Sequence, residues 1–178
     1  MNPKMPTSGL DFSKLTLRDA LDLALLVEEE ERDRYEEFAE QLTAHHTPEA
    51  AAFFRKMARV EEKHRLQLHA RRQAEFGNQA TAVSRAMIFD VEAPEYDEAR
   101  AFMTVRQALE VALRSEEKAH EFFVGALRVI KDPPIRALFE ELREEELAHR
   151  QLVLSELARV PPDLPGRTAD YEDEPAPH

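Results

Sequence analysis

Glu61-Glu62-Lys63-His64 and Glu146-Leu147-Ala148-His149 are two E-x-x-H pairs 85 residues apart, and their setting decides the fold. Residues three apart share one face of a helix, so each pair presents a carboxylate and an imidazole on a common stripe. Around the first pair that stripe reads Phe54, Met57, Glu61, His64, Leu68; around the second it reads Leu138, Leu142, Glu146, His149, Val153. Both stripes have the three-and-four spacing of a buried helical face. Acid and imidazole therefore stand where core residues should be, at mid-length of two helices.

Two further helical patterns carry the same interruption. One runs from about Thr16 to Ala44, with a seam of Leu21, Leu25, Glu28, Tyr35 and Leu42. The other begins near Thr104 and ends around Lys131, with a seam of Leu109, Ala112, Glu116, Phe123 and Ile130. Thr47-Pro48 and Asp132-Pro133 each predict an N-cap followed by proline at the first helical position. The helix opened by Pro48 is expected to stop at Gly77-Asn78, and the one opened by Pro133 near Val160.

The halves repeat one another. Thr16-Leu-Arg-Asp-Ala-Leu matches Thr104-Val-Arg-Gln-Ala-Leu at an offset of 88, which also places Glu28 on Glu116 and Tyr35 on Phe123. At an offset of 85, Pro48 falls on Pro133, Phe54 on Phe139, Glu61 on Glu146 and His64 on His149. An internal repeat of this kind predicts two helical hairpins related by a pseudo-two-fold axis. Short turns within each half make the paired helices antiparallel. The link from 77 to about 103 is long enough to travel back along a bundle of roughly 40 Å, at about 3.3 Å per extended residue, and some of it can be helical. The expected fold is all-α, an antiparallel four-helix bundle over 16–160 with one long crossover. Residues 1–15 form an N-terminal segment, and the acidic, Pro-rich 161–178 reads as a disordered tail.

Composition narrows the function. The chain has 178 residues, a formal charge of −12 and no cysteine. Disulfides, thiolate zinc sites, iron–sulfur clusters and a catalytic thiol are excluded. A strongly acidic chain lacks the positive face that nucleic acid or anionic lipid requires, but it suits attraction of metal cations. No stretch is apolar enough to span a membrane, and the N-terminus has no apolar signal core, so a cytoplasmic protein is expected.

Four carboxylates brought together in a core carry an electrostatic penalty unless they are protonated or compensated. Two divalent cations compensate them, and neutral imidazoles add no charge. The predicted metal ligands are Glu28, Glu61, His64, Glu116, Glu146 and His149. Mixed carboxylate and imidazole donors suit iron or manganese, and also zinc. Glu31 and His120, near the ligand positions, read equally as supporting groups, spare ligands or solvated residues. His45 and His46 fall at the first hairpin turn and read as exposed.

At these residues the chain resembles the rubrerythrin-like branch of the ferritin-like superfamily. Glu28-x6-Tyr35-x2-Phe38-Ala39 resembles that family's first-helix motif, in which the Glu binds metal and the Tyr packs beside it. The two E-x-x-H pairs resemble its second- and fourth-helix motifs, and Glu116 falls on its third-helix ligand. The resemblance covers roughly 16–160 and implies a ferritin-like bundle, two iron ions per chain, reactivity with oxygen or peroxide, and Tyr35 in a supporting role at the site. Two departures bear on activity. The family's additional third-helix Glu is Ala119 here, and its four-cysteine rubredoxin module is missing, so efficient peroxide reduction is not expected without an external electron donor. The Pro-rich tail replaces the short helix that completes a ferritin cage, so a homodimer is expected. Iron delivery without turnover, or a structural bundle with zinc or no metal, are the alternatives to a ferroxidase or peroxide-detoxifying role.

Overall fold

The computed structural model describes residues 10–44, 47–92 and 104–163, with side chains described outside 89–92. Among the described residues, five α-helices follow a short 3-10 turn at Phe12–Lys14: α1 Leu17–Ala44, α2 Pro48–Phe76, α3 Arg85–Glu92, α4 Val105–Leu127 and α5 Pro133–Leu157. No strand occurs among the described residues. Helices α1, α2, α4 and α5 are the four expected from the sequence, and α3 lies in the crossover.

Local chemistry sets most of the ends. Asp132 caps α5 by accepting from the Ile135 backbone N–H at 3.2 Å, with Pro133 at the first position. Thr104 and Gln107 form a reciprocal capping box on α4. Thr47 departs from expectation. It precedes Pro48, but its hydroxyl makes no cap and donates instead to the Leu42 carbonyl at 2.8 Å, closing the end of α1. Helix α4 ends at Leu127, about four residues before the expected Lys131, because Val129 and Ile130 turn back to the Ala126 carbonyl. Gly77, at φ +54°, stops α2 in a conformation that an L side chain resists.

Cross-helix bonds give the register. Arg72 meets Asp22, Arg32 meets Glu62 and Arg55 meets Thr43, so α2 descends as α1 rises. Arg150 reaches Glu117 near mid-length, and Arg136 reaches the Leu127 carbonyl at the turn, giving the same antiparallel pairing for α4 and α5. The apolar core then falls into two clusters. One joins the start of α1 to the ends of α2 and α4 and the start of α5, around Leu21, Leu68, Phe123 and Phe139. The other joins the far ends, around Tyr35, Phe54, Leu109 and Val153. Between these two apolar blocks, at mid-bundle, lie the seam carboxylates and imidazoles.

Asp22, which breaks the first apolar stretch in the sequence, is buried against Arg72. The guanidinium donates to both Asp22 oxygens at 2.7 and 3.2 Å, and to the carbonyls of Gly77 and Gln79 at 2.5 and 2.6 Å. It thereby ties α1 to the C-terminus of α2 and to the first residues of the crossover. Asp22→Asn keeps the shape but supplies only one acceptor oxygen to this fork. We expect it to lower the urea midpoint by on the order of 0.5 M with an unchanged denaturant slope. An unchanged midpoint would show that the latch contributes nothing to stability.

Candidate metal centre

Each of the four long helices delivers its seam acid to the same interior level. Glu28, Glu61, Glu116 and Glu146 are all buried, as is His149. His64 is less enclosed, its side chain 17% exposed against 2% for His149. The two imidazoles stack with ring centroids 5.2 Å apart. Around His149 Nδ1 lie Glu61 at 3.3 Å, Glu116 at 3.5 Å and Glu146 at 4.0 Å. Around His64 Nδ1 lie Glu28 and Glu145, each at 3.8 Å. All six residues predicted from the sequence therefore converge.

Two further carboxylates join them. Glu31, one turn after Glu28, is buried and comes together with Glu146 and His149, and also with Glu28 and Glu61. Its signal was present in the sequence as the same three-residue spacing that links Glu61 to His64. The offset of 88 places Glu31 on Ala119, so the repeat pairs a buried acid with a buried small side chain. Glu145 joins Glu28 and His64 from the flank of α5, and nothing in the stripe pattern marked it. His120 is half-buried and belongs to none of these groups. His45 and His46 lie outside the described residues.

Tyr35 supports the cluster directly. Its buried hydroxyl donates to Glu116 Oε1, and its ring stacks on Phe54 at 5.9 Å. That bond fixes one oxygen of Glu116 and leaves Oε2 facing His149. Burial, followed by the charges of Glu116 and Glu61, pushes the Tyr35 phenol well above its ordinary range, so it stays a donor.

Protein groups alone do not satisfy this cluster. Among the described residues, all but two of the buried side-chain nitrogens and oxygens without a hydrogen-bond partner belong to it. They include both oxygens of Glu28, Glu31, Glu61 and Glu146 and both nitrogens of His149. Burial and then the neighbouring carboxylates push Glu28, Glu61 and Glu146 well above the usual carboxylate range, and lift Glu31 to about 8. His64 is held down to about 4 by burial, then by His149 and Lys63. For His149, burial opposes the charged ring, but Glu116 and Glu31 outweigh it and raise its pKa. Such groups are orphans for a proton-only chemistry and donors for cations: a divalent ion supplies the charge and the missing partners together. The residues fit a metal centre.

Comparison with known proteins agrees with this reading. The sequence profile of the Rubrerythrin family matches residues 19–158. The crystal structure of an uncharacterized conserved protein from Magnetospirillum magnetotacticum superposes with a TM-score of 0.69 at 26% identity, covering 84% of this chain and 99% of that one. No curated protein matches the chain. The matched segment takes in every residue of the carboxylate–imidazole cluster and all of the four long helices but Leu17 and Arg18 at the start of α1, and the chain belongs to the rubrerythrin family.

Proposed function

We propose that the chain is a non-haem di-iron oxidoreductase that oxidises Fe(II) with oxygen or peroxide. The observation that carries this reading is the set of orphaned buried carboxylate and imidazole donors gathered in one cluster between two apolar blocks. Two ferrous ions held there would supply one electron each, enough to take peroxide to water or oxygen to the peroxide level with protons from solvent. Glu28 and His64 would hold one ion. Glu116, His149 and Glu31 would hold the other, with Glu31 as a seventh donor on α1 where the family places its additional Glu on the third bundle helix. Glu61 lies within reach of both imidazoles, and Glu146 groups with Glu31 and His149, so these two would complete the donor set. Tyr35 positions Glu116 through its one O–H, and because the phenol stays protonated it keeps donating to that carboxylate. The aromatic and aliphatic blocks above and below exclude bulk water, which strengthens every charge interaction between them.

The test is anaerobic loading of the full chain with Fe(II), metal analysis, and then mixing with oxygen or with peroxide. Two irons per chain are expected, with Fe(II) consumed at least about tenfold faster than in protein-free buffer. Stoichiometric uptake without faster oxidation would replace the catalytic reading with iron binding and delivery. No retained iron would overturn both.

A further inference from the structure

The two halves of the cluster differ in their access to solvent. His149 is sealed, whereas His64 is partly exposed, and the carboxylate beside it, Glu145, has a side chain 25% exposed. Glu145 Oε2 and Glu28 Oε2 each lie 3.8 Å from His64 Nδ1. The three donors fall within 4.8 Å of one another. Glu28 is fully buried with both oxygens unpartnered, so a half-exposed donor and a sealed, unsatisfied one face the same nitrogen. The repeat shows that this is built on one side only. At the offset of 85 the counterpart of Glu145 is Val60, so the position that flanks one E-x-x-H pair with a carboxylate flanks the other with an aliphatic side chain. Further out on α5, Glu141 is 62% exposed and lies 3.7 Å from Arg71, so the rung outside Glu145 is already engaged by a cation of the protein.

We propose that Glu145, with His64 and Glu28, forms the entry station through which a divalent cation passes from solvent into the buried cluster. An incoming hydrated ion must exchange waters for protein donors stepwise, because removing its whole shell at once is prohibitive. Glu145 takes the ion while one side of it is still hydrated. His64 replaces a further water, and Glu28 draws the ion inward, after which Glu145 is free to release it. The inference rests on the two-metal reading of the cluster, but it concerns the rate of filling rather than the final occupancy.

The test uses the full metal-free chain mixed rapidly with Co(II), whose visible absorbance reports carboxylate–imidazole binding. Glu145→Gln keeps shape and volume. Glu144→Gln, at a neighbouring position 62% exposed, makes the same change in net charge and controls for the general acidic field. We expect Glu145→Gln to slow loading by about tenfold while the end-point stoichiometry stays that of wild type, and Glu144→Gln to load like wild type. Equal rates for all three proteins would overturn the entry role while leaving the metal centre intact. Equal slowing by both variants would also overturn it, in favour of bulk electrostatics. An end point reduced in Glu145→Gln would show a resident ligand rather than an entry station. Failure of the wild type to bind Co(II) would overturn the metal-centre reading along with this one.

Discussion

The Glu61→Gln/Glu146→Gln double variant is expected to lose both metal ions and yet to melt at a higher temperature than the metal-free wild type. Glu61 and Glu146 come from the two paired E-x-x-H motifs and are fully buried, so the variant removes two of the four seam carboxylates that balance two divalent ions. In the metal-free chain the same two carboxyls are a liability. Burial and the surrounding acids hold them well above their ordinary range, and none of their four oxygens has a hydrogen-bond partner. Glutamine preserves their volume and removes the charge. Relief of about 1–3 kcal/mol per site, about 2–6 kcal/mol for the pair, corresponds to a rise of about 4–24 °C for a domain of this size, at about 2–4 °C per kcal/mol. Calorimetry on chelator-treated protein and metal analysis after dialysis measure the two effects independently. A variant that keeps its metal, or that melts lower than metal-free wild type, would contradict the assignment of these residues. Opposite signs for binding and stability are what a site built for cations at the expense of the empty fold requires.

This opposition also explains how much of the site the sequence revealed. A helix whose apolar stripe is interrupted by Glu at mid-length is a local conflict, and the conflict repeats on four helices at corresponding positions. The six residues found this way all sit on the seam, where periodicity alone specifies burial. Glu31 was ambiguous because it ends the run Glu28-Glu29-Glu30-Glu31, and a run of acids reads equally as a solvated face. Only the packing of α1 against the α4–α5 hairpin distinguishes buried Glu31 from its partly exposed neighbours Glu29 and Glu30. Glu145 was missed for a related reason. It lies next to a seam residue rather than on the seam, and its proximity to His64 depends on how α2 and α5 approach each other, which no single-helix pattern encodes.

The fold was legible for the same physical reasons, and its misreadings are local. Proline after Thr47 and Asp132 fixes where α2 and α5 begin, because each proline gives up an N–H that the first turn does not need. It does not fix what the preceding side chain does. Asp132 caps its helix, while Thr47 finds the Leu42 carbonyl nearer and closes the previous one. The crossover showed less. Helix α3 is short, and it is held by tertiary contacts, with Ile88 in the core and Arg85 paired to Glu29 and Glu30. Its stability comes from that docking rather than from a periodic stripe of its own.

Stability of the metal-free protein is expected to fall as pH rises from about 6 to about 8.5, by several kcal/mol or on the order of 10 °C in melting temperature. The sign follows from the carboxyls. Glu31 titrates near 8 in the folded chain against 4.5 for an ordinary glutamate, and Glu28, Glu61 and Glu146 are displaced in the same direction. Between those values the folded state holds protons that the unfolded state has released, so raising the pH favours unfolding. The stabilisation is complete below the unfolded pKa and is lost as pH climbs through the folded one. His149, also raised, contributes with the same sign. His64, held near 4, works in the opposite sense as pH falls through its ordinary 6.5, so it opposes the trend only at the low end of this window. A bound dication reverses the dependence. Its ligands must be deprotonated, so binding releases protons and tightens with pH. Melting curves of chelator-treated and Mn(II)-loaded protein, taken across the same range, should therefore diverge: the first falling, the second level or rising. Parallel curves would mean that the buried carboxylates are not the cation site, because two states that differ by the charge of bound ions cannot then share one proton balance.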